Sequence, residues 1–194
     1  MKKNLVFAAL CTCCFIFLLI ELNCSSKMTK EEQIARGQYL ANIGGCNDCH
    51  SPKIMSAMGP VPDTTRLLSG QSTVLQLPPI DTGMIAMGGW ILATGSLNAW
   101  VGPWGISFAA NLTPDSSTGL GLWTPGIFIN AMRTGKHMGA GNAILPPMPW
   151  NAIGKLTDED LNCMFVYLQS IPPIANKVPA SVPPDIIAEK FMKK

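Results

Sequence analysis

The sequence predicts an all-α fold that is interrupted by a long, mostly irregular insertion. Three segments, at 29–43, 124–135 and 157–173, combine apolar residues at helical spacing with start and stop signals for a helix. The chain between the first two of these segments is rich in glycine and proline. Of the 18 glycines in the whole sequence, 15 lie between residues 51 and 155. Because glycine weakens regular elements, this stretch is expected to form loops.

The first helix is predicted from a capping signal. Thr29 is followed three residues later by Glu32, which is the spacing of a helix-starting capping box. Apolar residues follow at helical spacing up to Ile43, and Gly44 then ends the pattern. This helix therefore ends immediately before the cysteine-containing segment described below.

The second and third helices have equally clear boundaries. Thr124 with Pro125 is typical of a helix start, and Gly135 is typical of a helix end. Thr157 precedes three acidic residues, which favour the positive end of a helix, and Pro172 stops the apolar pattern that follows. We expect both helices to present one apolar face to a common core.

The N-terminus resembles an export signal. Lys2 and Lys3 precede an apolar run at 5–20, which is short for a membrane span, and the chain becomes polar around Cys24. We assign residues 1–23 to a signal peptide of the lipoprotein type, in which lipidation of Cys24 would anchor the chain. Cleavage by ordinary signal peptidase and an uncleaved anchor are the alternatives. All three place the rest of the chain outside the cytoplasm, on the periplasmic side of a bacterial membrane.

Length and composition describe one small domain. The chain has 194 residues, of which 47% are hydrophobic and 13% charged, and this argues against a disordered chain or a coiled coil. We expect a domain over 24–184 and a tail at 185–194 that forms a short amphipathic helix. The formal charge of +2 comes with no basic cluster outside the chain ends, which excludes a nucleic-acid-binding function.

The most informative motif is Cys-Asn-Asp-Cys-His at 46–50, the attachment pattern of c-type haem. Two thiols at this spacing can add to the two vinyl groups of a porphyrin, and His50 is then held beneath the iron as a ligand. A redox dithiol would be expected between a strand and a helix, and a zinc site would need two more ligands at matching spacing. The sequence therefore favours covalent haem attachment at Cys46 and Cys49.

A second iron ligand is predicted at Met148. Three prolines surround it, which keep the segment out of a helix and stiffen the loop that holds the thioether. A thioether ligand favours reduced iron and raises the reduction potential. The rival candidates are His137 and, more weakly, Met138, both in a glycine-flanked segment that is expected to be an exposed turn.

Together these features resemble class I c-type cytochromes, and more closely the bacterial monohaem and multihaem cytochromes that accompany periplasmic dehydrogenases. The likeness covers 34–184. It rests on the haem motif at 46–50, a segment at 104–124, and the Pro-Met-Pro-Trp loop that contains Met148 before a closing helix.

The resemblance implies a cytochrome c domain with one covalent haem c. Cys46 and Cys49 would be the thioether sites, and His50 and Met148 would bind the iron. With both axial positions filled, the domain would carry single electrons and have no catalytic residues of its own. Its partners would be redox proteins: a dehydrogenase or another cytochrome as donor, and an oxidase or cytochrome as acceptor.

Two further expectations follow. If the first and last helices cross as in that family, Gly37 and Tyr167 are the candidate contact residues, and Cys163 is a small buried residue of the last helix.

An alternative function is a haem-based sensor or ligand-binding enzyme, in which Met148 does not bind iron and the sixth coordination site is open.

The insertion at 67–114 is unusually poor in charge. Its only charged side chain is Asp81, and it contains Trp90, Trp100 and Trp104. One interpretation is that it covers a haem edge and excludes water, which would raise the reduction potential. The other is that it forms an uncharged docking face for a redox partner or a membrane surface.

Overall fold

The computed structural model describes residues 27–72, 77–80 and 90–191, and the account below concerns these residues. The α-helices in this part of the chain are α1 (Lys30–Ile43), α2 (Cys46–His50), α3 (Pro125–Thr134), α4 (Trp150–Ile153), α5 (Asp158–Ser170) and α6 (Pro184–Phe191). A 3₁₀ helix (His137–Gly139) lies between α3 and α4. The three helices predicted by capping and periodicity, and the helix predicted in the tail, are confirmed. None of the described helices is long and apolar enough to cross a membrane.

The prediction of an all-α fold is wrong, because the chain between the haem motif and α3 contains two small antiparallel sheets. The first is a hairpin of β1 (Lys53–Ser56) and β2 (Gly59–Pro62), and the second joins β3 (Leu92–Ala93), β4 (Ala99–Gly102) and β5 (Gly105–Phe108) in that order. The fold is therefore mixed α and β.

The physical reason for the error lies in the turns. Ser56 pairs with Gly59, and Gly102 pairs with Gly105, so each hairpin closes through a loop of two residues. Gly59 and Gly105 adopt positive φ angles of 106° and 100°, a conformation that suits glycine. The glycines that appeared to indicate irregular loops thus form tight hairpins, and strands of two to four residues are too short to show a clear alternating pattern.

Local capping explains the helix boundaries. Thr124 Oγ1 accepts a hydrogen bond from Ile127 N at 3.2 Å, and Gly135 ends α3 with a φ angle of 65°. Thr157 Oγ1 accepts from Asp160 N at 3.1 Å at the start of α5. These contacts lie within one helical turn, which is why the sequence alone predicts them.

Helices α1 and α5 cross at Gly37, as expected. A Cβ atom at Gly37 would overlap the carbonyl oxygen of Cys163 and lie 2.6 Å from its carbonyl carbon and 2.7 Å from Tyr167 Cβ. Only a residue without a side chain permits this approach. Cys163 is fully buried, as predicted, and an ion pair between Arg36 Nε and Asp160 Oδ1, at 2.8 Å, spans the same two helices.

Two apolar clusters form the core. The main cluster joins α1, α3 and α5 with parts of the haem motif and of the loops; its buried members include Leu40, Cys46, Leu68, Phe128, Met132, Leu161, Phe165 and Leu168. The smaller cluster joins the three-stranded sheet to α6, and consists of Ile80, Val101, Ile106 and Ile187. Backbone hydrogen bonds between Ile106 and Val182, at 2.7 and 3.0 Å, hold the segment before α6 against β5.

Candidate haem site

The haem motif forms a single helical turn, α2, directly after α1. Gly45 adopts a left-handed conformation with a φ angle of 65°, which reverses the chain between the two helices. Cys46 and Cys49 are separated by three positions and His50 follows Cys46 by four, so all three lie on one face of the turn. Neither cysteine forms a disulfide.

His50 is buried and oriented by one hydrogen bond. Its Nδ1 lies 2.8 Å from the carbonyl oxygen of Ala110, and because that oxygen can only accept, Nδ1 carries the proton. Burial lowers the pKa of His50, which keeps the ring neutral. The remaining nitrogen, Nε2, is therefore the ring atom with a free lone pair that can bind a metal.

The backbone around His50 is held by residues from distant parts of the chain. The carbonyl oxygen of His50 accepts from Gly70 N at 2.7 Å. Asn98 Nδ2 donates to the carbonyl oxygens of Cys49 and Ser51. These contacts were missed at the sequence level, because a side chain that binds backbone carbonyls leaves no sequence motif.

Lys53 closes the end of α2. Its Nζ donates to the carbonyl oxygens of Asn47, Asp48 and Ser51 at 2.9, 2.9 and 3.0 Å. The last carbonyls of a helix lack partners within the helix, and a cation near them is favourable. Lys53 was likewise missed, although a lysine three residues after the motif is a signal that helix-capping rules could have used.

The thiols do not resemble those of a redox dithiol. Burial raises the pKa of Cys46 to about 11. The pKa of Cys49 is raised mainly by burial and, to a smaller extent, by the negative charge of Asp48. Reactive redox cysteines have pKa values below the usual range, because the thiolate is the nucleophile. Two free thiols and a neutral, oriented imidazole on one helical face are instead a donor set that fits a covalently attached haem.

Met148 lies in an irregular loop before α4, as its prolines predicted. It is partly buried and packs against the main apolar cluster, which contains Cys46. The carbonyl oxygen of Pro146 accepts from Ser107 Oγ at 2.5 Å, so the loop is tied to β5 of the three-stranded sheet. The structure thus brings Met148 and the motif to the same core cluster, and its role as an iron ligand stays a prediction.

The rival ligands lie on the surface. His137 is exposed, and its ring packs edge-on against Trp123 with the ring centroids 5.2 Å apart. Met138 is 47% exposed and has a positive φ angle of 53°. The expected exposed turn is confirmed.

The tryptophans of the insertion differ in exposure, and the signal segment is not described by the structure. Trp90 is exposed, whereas Trp100 and Trp104 are half-buried, and both interpretations of the insertion stay predictions. Cys24 and the signal segment lie outside the described residues, as does Asp81. In the part of the chain that the structure describes, no group of three or more His, Cys, Asp or Glu side chains is placed to hold a metal ion.

Comparison with known proteins supports the haem assignment. The chain is 27% identical over 143 residues to the gluconate 2-dehydrogenase cytochrome c subunit of Pantoea cypripedii, which covers 73% of this chain and 24% of that protein. It is 26% identical over 137 residues to the fructose dehydrogenase cytochrome subunit of Gluconobacter japonicus, covering 71% and 21%. The chain is related to cytochrome c subunits of dehydrogenases.

A third relative is matched over a shorter region. The chain is 33% identical over 79 residues to a nicotinate dehydrogenase subunit of Pseudomonas putida, which covers 41% of this chain and 7% of that protein. The chain thus spans a quarter or less of the length of these three relatives. No protein-family model matches it.

Proposed function

We propose that this chain is an exported monohaem c-type cytochrome that carries single electrons between redox proteins. Cys46 and Cys49 would hold haem c through thioether bonds, and His50 and Met148 would bind its iron. The observation that carries the proposal is the buried, neutral His50, whose Nδ1 donates to Ala110 and whose Nε2 is left for iron. The relation to cytochrome c subunits of dehydrogenases supports it.

When bound, the haem iron would supply a reversible one-electron change between its ferric and ferrous forms. The protein's own residues set the conditions for that change. The Ala110 hydrogen bond keeps His50 in one tautomer, and the Met148 thioether, as an iron ligand, would raise the reduction potential. If His50 and Met148 both bind the iron, no open position would be left for a substrate, so the chain would act as a carrier rather than as an enzyme.

The partners follow from the same chemistry. A dehydrogenase or another cytochrome would donate the electron, and an oxidase or cytochrome would accept it; the names of the relatives favour a dehydrogenase as donor. The chain would work on the periplasmic side of a bacterial membrane. A lipid on Cys24, or the signal segment itself, would hold it there.

Covalent attachment tests the proposal directly. The protein is produced in a host that matures c-type cytochromes, denatured, and stained for haem after gel electrophoresis. The wild type should retain its haem, and the double variant Cys46→Ser with Cys49→Ser should lose it. Cys163→Ser is the matched control, because Cys163 is also a buried free thiol but lies in α5. Loss of haem from the wild type, or its retention by the double variant, would refute the assignment.

A further inference from the structure

Asn98 connects the insertion to the haem motif. It lies between β3 and β4, follows Leu97, which has a positive φ angle of 59°, and is only 1% exposed. Its two partners, Cys49 of the motif and Ser51 directly after the motif, lie 49 and 47 positions earlier in the chain. A buried amide in a nearly uncharged segment requires a polar partner, and the motif supplies it.

The side chain of Asn98 holds the backbone on both sides of His50. Its Nδ2 donates to the carbonyl oxygen of Cys49, which precedes His50, and to that of Ser51, which follows it, at 3.1 Å for the second contact. One amide nitrogen carries two hydrogens and can serve both carbonyls. Neither a carboxylate nor an alkyl side chain of similar size can do so.

The backbone of Asn98 contacts the segment that orients the ring of the same histidine. Its carbonyl oxygen accepts a hydrogen bond from Ala109 N at 2.8 Å, and Ala109 precedes Ala110, whose carbonyl oxygen accepts from His50 Nδ1. The Ala110 oxygen lies 2.8 Å from Nδ1. A single residue of the insertion is thus linked to the main chain on both sides of His50 and to the segment that orients the ring.

We propose that Asn98 is a positioning residue that holds His50 in the orientation needed for binding haem iron. This inference rests on the proposed function, in which His50 is an axial ligand. It assigns to the insertion a role that neither sequence interpretation included, which is to hold the backbone and the ring of His50 in place. Since Asn98 Oδ1 is buried without a hydrogen-bond partner among the described residues, its desolvation cost offsets part of the gain. Global stability is therefore a poor readout, and the test needs a signal from His50 itself.

The test measures hydrogen exchange of the His50 Nδ1 proton by NMR in the reduced, haem-loaded protein. In the wild type this proton should be strongly protected. Asn98→Ala removes two hydrogen bonds, and Asn98→Asp places an acceptor against two carbonyls, so exchange should be roughly tenfold faster or more in both. Gln169→Ala is the matched control, since the Gln169 amide donates at 2.9 Å to the backbone carbonyl of Leu120, also 49 positions away, which is not part of the motif. Its exchange at His50 should equal that of the wild type.

A second measurement needs no variant. In the wild type the two Nδ2 protons of Asn98 should exchange far more slowly than those of the exposed Asn151. Unprotected Asn98 protons, or His50 exchange that is unchanged in Asn98→Ala, would overturn the proposal while haem binding by His50 still stands. A wild-type protein that lacks low-spin haem would instead refute the proposed function, and the role of Asn98 with it.

Discussion

Substitution of Gly37 by alanine is expected to separate the two helices that enclose the core. The added Cβ would overlap the Cys163 carbonyl oxygen and lie 2.6 Å from its carbon, about 0.8 Å inside the 3.4 Å at which ordinary contact begins. Because the obstruction is backbone, no rotation of a side chain can relieve it. The helices must move apart, and a gap of 0.5–1 Å already loses roughly a quarter to a half of each contact energy.

The expected magnitude combines two opposing effects. Overpacking of a core contact costs typically about 1–3 kcal/mol, and more where backbone is involved, whereas alanine gains about 1 kcal/mol over glycine inside a helix. Because the obstruction is backbone, the overpacking cost is taken at the upper end, about 3 kcal/mol, and Gly37→Ala is expected to lower the free energy of unfolding by about 2 kcal/mol. Urea denaturation of the haem-loaded protein, followed by far-UV circular dichroism, measures this quantity.

Gly126→Ala is the matched control, because Gly126 is also a helical glycine. Its added Cβ would meet nothing closer than Thr124 Oγ1 at 3.9 Å, which is ordinary contact. Its free energy of unfolding should be unchanged or raised by up to about 1 kcal/mol. A Gly37→Ala protein as stable as the wild type would show that α1 and α5 do not meet at this point.

Two further predictions concern the iron and the pH. Met148→Ala should lower the reduction potential, abolish the sulfur-to-iron absorption band of the ferric protein and let the reduced protein bind carbon monoxide. Met138→Ala is the control and should change none of these properties. A wild-type protein that already binds carbon monoxide would favour the sensor function. The hydrogen bond from Arg36 lowers the pKa of Asp160 in the folded protein. The pair therefore stabilises the fold at pH values above the pKa of an unfolded aspartate, about 3.9. This stabilisation is lost as the pH falls through the lower pKa of Asp160 in the folded state. Arg36→Gln should therefore be less stable than the wild type in urea at neutral pH, and the difference should disappear in acid; a difference independent of pH would contradict the assignment.

Helices were predictable because their signals are local. Thr124, Gly135 and Thr157 each act on groups within the same turn, so the residues that start or end a helix stand next to it in the sequence. Strands were not predictable for a different reason. The paired strands follow each other along the chain, but strands of two to four residues are too short to show an alternating pattern.

The candidate haem site divides along the same line. Cys46, Cys49 and His50 are recognisable from the sequence alone, because covalent attachment and ligation by one helical turn require a fixed spacing. The groups that orient His50, the Asn98 amide and the Ala110 carbonyl, lie 49 and 60 positions from the residues they contact. Hydrogen bonds to backbone carbonyls depend on where two distant segments meet, so only the tertiary structure decides which residues hold the ligand.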